Sequence, residues 1–296
     1  MKRAPADRAR SMLGGVMLLP AVFFILALVA VPFGLAIVYA LSDVKVASEG
    51  GRFVGLRNFS HAIADPTFRR AVANSFLFTA ASQVLVLVGA TTLALFLHRP
   101  FRGRRVVRLL ILLPWVAPIS LGAIGWKWLL DSIYSVFNWF LTHLGIVSEA
   151  PMWLGEPGLA MASVVLVHTW RMLPFATIVL LAGLTSIPRD IPEAAQVDGA
   201  GFWRTHFEIT LPMIRPIVVV AALFGTIFTF TDMTVVYILT RGGPYDTTQV
   251  LPSLAFFTGI LGGDLSGGAA ISLFLFPVLL AVAWLMLRTA RRAEVA

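Results

Sequence analysis

Apolar residues run along this chain in long blocks separated by shorter polar segments. Blocks long enough to cross a hydrocarbon core of about 30 Å fall at roughly 13–41, 71–97, 107–130, 159–185, 213–239 and 268–288. The pattern predicts an all-α integral membrane protein with six transmembrane helices. The first block follows the basic stretch "MKRAPADRAR", as in a signal peptide, but a signal h-region is about 7–15 residues and this run is far longer. It reads as an uncleaved signal-anchor. Neither an internal repeat nor a low-complexity tract is visible.

Composition supports the membrane reading: 58% of the 296 residues are hydrophobic and 13% charged, where soluble domains carry roughly a quarter charged residues. The net charge of +8 would suggest a nucleic-acid partner in a soluble protein. Here the basic residues sort by loop. Lys2, Arg3, Arg8 and Arg10 fall on the first tail; Arg99, Arg102, Arg104, Arg105 and Arg108 on the second loop; Arg189, Arg204 and Arg215 on the fourth; and Arg288, Arg291 and Arg292 on the last tail. The alternate loops hold only Lys45, Arg52, Arg57, Arg69, Arg70 and Arg241. The positive-inside bias therefore puts both termini and the 186–212 loop in the cytoplasm, and no nucleic acid is expected as partner. Asp65-Pro66 can begin a short amphipathic helix before the second span. Trp115, Trp126, Trp139, Trp153 and Trp284 lie near span ends or in loops, where interfacial anchoring is the default.

The chain has no cysteine, which excludes disulfides, Cys-ligated metals and a lipobox anchor. It has no G-x-x-x-x-G-K-[ST], so it carries no ATP-binding P-loop of its own. A membrane-embedded transferase would need paired acids or a His cluster at one interface, and the acids here are scattered singly. A passive channel would leave one feature without a purpose, the polar segment "IPEAAQVDGAGFWRTHFEITLP" at 191–212.

That segment has mechanical content. Pro192 suits the first turn of a helix, and Glu193 follows where an acid favours the positive helix end. Ala194 and Ala195 keep the helix thin, so another backbone can approach. Asp198-Gly199 ends it, because Gly tolerates the left-handed cap. Phe202, Trp203, Phe207 and Ile209 then give a second short helix an apolar side expected to lie back on the bundle, and Leu211-Pro212 with Pro216 turns the chain into the fifth span.

With Glu193-Ala194-Ala195, Gly199 and Ile209-x-Leu211-Pro212 at this spacing, the segment resembles the EAA loop of inner-membrane permeases of binding-protein-dependent ABC importers. "VGLRNF", "DPTFRRAVANSFLFT", "LLPWVAPI", "HTWRMLPFATIVLLAGLTSIPRD" and "TRGGPYDTTQVL" extend the resemblance to MalF/UgpA-type subunits of carbohydrate importers. The chain lacks the extra N-terminal spans and large periplasmic insertion of the maltose subunit. The resemblance implies a type I ABC importer permease fold in a bacterial or archaeal cytoplasmic membrane. It implies a second homologous permease as heterodimer partner, two cytoplasmic ABC ATPase subunits and an extracytoplasmic solute-binding protein. ATP and Mg would be bound by those ATPases, and no cofactor by this chain. Glu193, Ala194, Ala195, Asp198, Gly199, Ala200, Ile209, Leu211 and Pro212 would form the ATPase-coupling loop.

Ionisable groups inside spans are functional candidates by default, since each costs roughly 2.5–3.5 kcal/mol on insertion scales. Two stand out, Arg171 in the fourth span and Asp232 in the fifth. Either they pair with one another as a structural bridge, or they line a polar cavity and hydrogen-bond a solute. The resemblance places the substrate pathway at His168, Arg171, Met172, Phe175, Phe228, Thr229 and Asp232. Aromatic faces there suit sugar C–H surfaces, while Arg, Asp and Thr suit hydroxyls. Arg171 suits a phosphate or carboxylate equally, which keeps glycerol-phosphate derivatives open. His168 alone also reads as hydrogen-bonded packing. The resemblance implies import of a sugar or sugar-like solute by alternating access, with a permease for a non-carbohydrate polar solute as the alternative, since the residues by themselves indicate only a polar solute.

Overall fold

A computed structural model describes residues 5–47 and 50–294. Lys2 and Arg3, counted above on the first tail, lie outside them, as do the side chains of Arg8, Arg10, Arg291 and Arg292. The chain opens with α1 (Pro5–Ile25), a π-helical turn at Leu26–Ala30 and α2 (Val31–Ala40), followed by a short hairpin of β1 (Ser42–Asp43) and β2 (Arg52–Phe53) and by α3 (Arg57–Ala64). Then come α4 (Pro66–His98), α5 (Arg104–Val116), α6 (Ile119–Leu129), α7 (Val136–His143), α8 (Pro157–Ser186) and α9 (Asp190–Val197). Next are α10 (Phe202–Arg204), a π-helical turn at Thr205–Thr210, α11 (Leu211–Met213), α12 (Arg215–Phe230) and α13 (Thr234–Leu239). The chain closes with α14 (Leu251–Phe256), a third π-helical turn at Phe257–Leu261, α15 (Leu265–Leu273) and α16 (Leu275–Glu294).

Four stretches form helices long and apolar enough to cross a membrane: Gly15–Ala40, Pro66–His98, Pro157–Ser186 and Leu265–Thr289. The third and fifth apolar runs are not straight rods. α5 and α6 meet at 94°, and the segment Phe202–Met213 meets α12 at 72°; counting each bent pair as one span gives six. The first bend has a local cause, because Ala117 precedes Pro118 and is driven to extended backbone (φ −64°, ψ 143°).

The chain divides into two compact units. One contains the residues up to Ala62 together with Ala255–Leu273. Its helical stretch from Gly15 presents exposed Val16, Phe23, Phe24, Leu28 and Phe33, as lipid-facing helices do. The amide of Asn58 donates to the carbonyls of Ala40 and Ser42, both at 2.8 Å, and so satisfies groups left open where the helix ends. The Val44 amide donates to Ser266 Oγ at 2.7 Å and Val46 to the Gly263 carbonyl at 2.8 Å. Gly259 and Gly268 let backbones touch: a Cβ on Gly268 would overlap the Gly259 backbone and lie 2.8 Å from the Ala255 carbonyl oxygen.

The other unit runs Ile63–Leu254 and resumes at Phe274. Asp65-Pro66 begins the long spanning helix α4 itself and not a separate short helix, which lies before it as α3: Asp65 accepts from the Thr67 amide at 2.8 Å, with Pro66 in the first turn, where its missing N–H costs nothing. α4 and α8 pack through small residues. Ala90, Ala94 and Ala176 are buried with Val86, Leu97, Leu180, Leu184 and, from the fifth run, Ile214 and Ala221. Such residues let helices approach closely where no hydrophobic force separates them from lipid. A second apolar cluster joins Phe78 of α4, Val164 and Val167 of α8, and Val235 and Val236 of α13. The "RGGPYDTTQVL" segment is tied to the start of α4. Arg70 donates to the Tyr245 carbonyl (2.9 Å), Asn74 to those of Thr247 and Gln249 (2.8 and 2.9 Å), and the Leu251 amide to Ser75 Oγ (2.8 Å).

The glycine contact yields a prediction. Gly268→Ala must displace backbone rather than a flexible side chain and is expected to cost about 1–3 kcal/mol, as overpacking does. Gly125→Ala, in helix α6 with nothing within 4 Å of the added Cβ, is expected to be neutral or stabilising. Thermal unfolding of both variants in detergent, against the parent chain, checks the contrast.

Candidate functional site

A chain of polar side chains crosses the helix packing where α4, α8 and α12 meet. Thr229, buried near the end of α12, donates its hydroxyl proton to the Gly225 carbonyl one turn earlier (2.8 Å). Its oxygen then accepts from Gln83 Nε2 of α4 (3.0 Å) and from His168 Nε2 of α8 (2.9 Å). Since a hydroxyl has a single proton, this arrangement makes His168 Nε2 the donor. His168 is fully buried, stands edge-on to Phe78 at 4.9 Å between centroids, and brings Nδ1 within 3.5 Å of Asp232 Oδ2. Gly225 is a glycine for space: a Cβ there would lie 2.6 Å from Gln83 Oε1.

Asp232 sits in the break between α12 and α13. One carboxylate oxygen accepts from the Thr234 amide at 2.6 Å, giving α13 a start; the other pairs with the Arg171 guanidinium. The Asp232 side chain is 6% exposed and that of Arg171 28%. Arg171 keeps further N–H donors, and it lines a small cleft at the α5–α6 bend with Pro114, Pro118, Gly122, Trp170 and Val235. The pair is therefore formed, and one member still reaches a cleft.

The other positions from the resemblance fall in different surroundings. Phe175 stacks on Trp115 at 5.0 Å, and Phe228 meets both rings edge-on at 6.1 Å. Phe228 is exposed. Met172 lies apart from this face, buried in the apolar cluster with Val86, Ala176 and Leu180. Two members of the site escaped the sequence reading. Gln83 is uncharged and so escaped a search for charges within spans, although an amide inside "FLFTAASQVLVLV" was there to be noticed. Trp115 reads as an interfacial anchor yet builds the aromatic group; Trp153 likewise is half-buried and donates Nε1–H to Asn138 Oδ1 at 2.7 Å.

The polar segment after α8 forms a separate structure. α9 ends on Gly199 at φ +80°. The Gly199 amide donates to the Gln196 carbonyl (3.0 Å) and that of Ala200 to Ala195 (2.9 Å), the paired bonds of a Schellman cap. Glu193, Ala194, Asp198 and Val197 are exposed, Val197 at 88%, while Ala195 is buried on the opposite side. Ile209 and Leu211 are half-buried and Pro212 is exposed. Phe202, Trp203 and Phe207 do not lie flat on the bundle as the sequence suggests; they are 47%, 67% and 56% exposed. Among the described residues no group of three or more His, Cys, Asp or Glu is placed to hold a metal ion.

Bent and broken spans around a buried polar network, with an exposed helix between the fourth and fifth apolar runs, define a multi-pass membrane permease. The family of binding-protein-dependent transport system inner membrane components matches residues 85–295, and the chain belongs to it. It is therefore a transport component of the cytoplasmic membrane. It is 34% identical to the trehalose/maltose transport system permease protein MalF of Thermococcus litoralis, over 94% of each chain. It is 31% identical to the sulfoquinovosyl glycerol transport system permease protein SmoG of Agrobacterium fabrum, over 97% of this chain and 93% of that one. Among solved structures, a chain of the bacterial alginate ABC transporter superposes with a TM-score of 0.83 at 24% identity, covering 99% of this chain and 98% of the other. The fold is that of a type I ABC importer permease.

Thr229→Val removes the acceptor shared by Gln83 and His168 and leaves both buried, at a cost of about 1–3 kcal/mol for each unsatisfied group; Thr229→Ser restores it. Thermal stability is expected to fall for valine and largely return for serine. Asp232→Ala leaves Arg171 without its anion and is expected to be the more damaging change, on the order of 3–5 kcal/mol. Arg171→Asp combined with Asp232→Arg is expected to recover part of the assembly lost in either single variant, read as monodisperse protein on gel filtration.

Proposed function

We propose that this chain is the permease subunit of an ATP-driven importer of a sugar or sugar-like solute, such as an oligosaccharide, a polyol or a glycerol-phosphate derivative. Trehalose, maltose and sulfoquinovosyl glycerol, named in its relatives, are polyhydroxylated molecules, and the site's chemistry fits them. Phe175, Phe228 and Trp115 offer flat apolar faces, and the free donors of Arg171 suit hydroxyl or phosphate oxygens.

In this reading both termini and the α9 segment face the cytoplasm, following the basic residues. The observation that carries the coupling role is the exposed, sharply capped helix α9. Glu193, Ala194 and Val197 form a narrow outward surface for a cleft on a cytoplasmic ATPase subunit, and Gly199 fixes where the helix stops. Ala195, buried on the opposite side, and the Thr205–Thr210 turn that carries Ile209 support it from behind, and Asp198 and Ala200 complete the cap. ATP and Mg are held by two such ATPase subunits, a second homologous permease closes the pathway, and an extracytoplasmic binding protein delivers solute. ATP binding then favours one access state and hydrolysis the other, a population shift driven by differential affinity.

Glu193→Lys and Gly199→Asp are expected to reduce uptake at least tenfold while the chain still inserts in the membrane; normal uptake by both rules out the coupling role. Asp232→Asn, which keeps the shape of the site, is expected to lower solute-stimulated ATP hydrolysis more than basal hydrolysis. An equal effect on both would reduce the pair to a structural bridge.

A further inference from the structure

The aromatic side chains that stand away from the bundle enclose space. A cavity of about 580 Å³ lies between the second half of α4 and the 202–218 region, walled by Leu87, Val88, Leu95, Phe207, Leu211 and Val218. A second cavity of about 280 Å³ adjoins it and is lined by Gln196, Ala200, Thr205 and Thr210. Leu95, Arg99, Phe202 and His206 belong to both walls. One chamber is therefore almost wholly apolar and the other of mixed polarity, with an arginine and a histidine at their junction.

Both junction residues have unused capacity. His206 is 5% exposed, and its Nδ1 is buried with no hydrogen-bond partner. A buried polar atom in that condition calls for an explanation, and a ligand group is one. The Arg99 guanidinium lies over the Phe202 ring at 5.1 Å, and none of the ion pairs among the described residues involves it. Arg102, Arg104, Arg105 and Arg108 follow it in the chain, so the local field favours an anion. A soluble anion would leave the apolar chamber empty, and a neutral lipid would leave Arg99 unpaired. An amphiphile with an anionic head satisfies both.

We propose that the joined cavities bind one anionic phospholipid of the cytoplasmic leaflet, its phosphate between Arg99 and His206 and an acyl chain against Leu87, Val88, Phe207 and Val218. The choice of leaflet rests on the orientation proposed above. Gln196 and Ala200 at the end of α9 share this wall, so the bound lipid braces the helix that couples to the ATPase. Lipid composition thereby acts on transport at the coupling helix.

Trp203 lines the apolar chamber and supplies the probe. The full-length chain, purified with its accompanying subunits, is placed in phosphatidylcholine nanodiscs containing a rising fraction of brominated lipid, and quenching of Trp203 is read as the difference from Trp203→Phe. Brominated phosphatidylglycerol is expected to quench at a roughly tenfold lower fraction than brominated phosphatidylcholine, the scale of one charge-assisted contact. Arg99→Gln and His206→Leu are expected to erase that preference and Arg99→Lys to retain part of it. Equal quenching by both lipids, or a preference untouched by Arg99→Gln, overturns the proposal. So does quenching by neither, which would mean that protein fills the cavity, and so does displacement of the brominated lipid by millimolar glycerol 3-phosphate, which would make the ligand a soluble phosphate. The readout needs neither ATP nor uptake, so its failure is distinct from failure of the coupling role.

Discussion

The Asp232 carboxylate is the constraint around which the buried polar network of this protein is built. A helix cannot stop inside a membrane without leaving backbone donors and acceptors open, and hydrocarbon offers them no partner. α12 stops at Phe230, within the fifth apolar run. Asp232 makes the stop tolerable by accepting from the Thr234 amide and so restarting the chain as α13. That places a negative charge within the packing, and Arg171, one helix away, supplies the counter-charge. Thr229 and His168 on the same two helices, with Gln83 from α4, extend the polar patch across three elements. The break, the pair and the network are one arrangement, since each supplies partners the others require.

The same economy of backbone groups explains the contacts of the "RGGPYDTTQVL" segment. It carries a run of irregular backbone, with Arg241, Tyr245 and Asp246 all at positive φ, and its carbonyls are taken up by Arg70 and Asn74 of α4. Arg70 counts toward membrane topology when the sequence is read alone. In the structure it is also a donor that fixes a loop some 175 residues later. Small residues do comparable work between helices: Gly225 admits Gln83, and Gly268 admits the Gly259 backbone.

The region between the fourth and fifth apolar runs combines two chemistries. α9 presents a narrow exposed surface and ends abruptly at Gly199, which suits rigid docking. The turn that follows exposes aromatic residues and leaves a cavity against α4. Beside the end of α9, Gln196 and Ala200 line space that another molecule can fill.

Local signals were enough to specify much of this protein. Runs of apolar residues determine helices in a membrane because nothing else satisfies the backbone there, and Asp65-Pro66, Pro118 and Gly199 set a start, a bend and an end through their own backbone preferences. The all-helical membrane class and the helix over 190–197 follow from residues near in sequence. The interior of the site does not. Gln83 and Thr229 are separated by 146 positions, and Trp115 becomes part of an aromatic group only when Phe175 and Phe228 are brought beside it. Hydropathy records how apolar a side chain is and leaves unstated which neighbour it meets. That Arg171 and Asp232 meet at all is likewise decided by helix packing, which places one guanidinium against one carboxylate, and Phe202, Trp203 and Phe207 read as a buried face until the turn carried them outward. Pairings across helices are decided by tertiary packing, because the distance between two side chains on different helices is a property of neither.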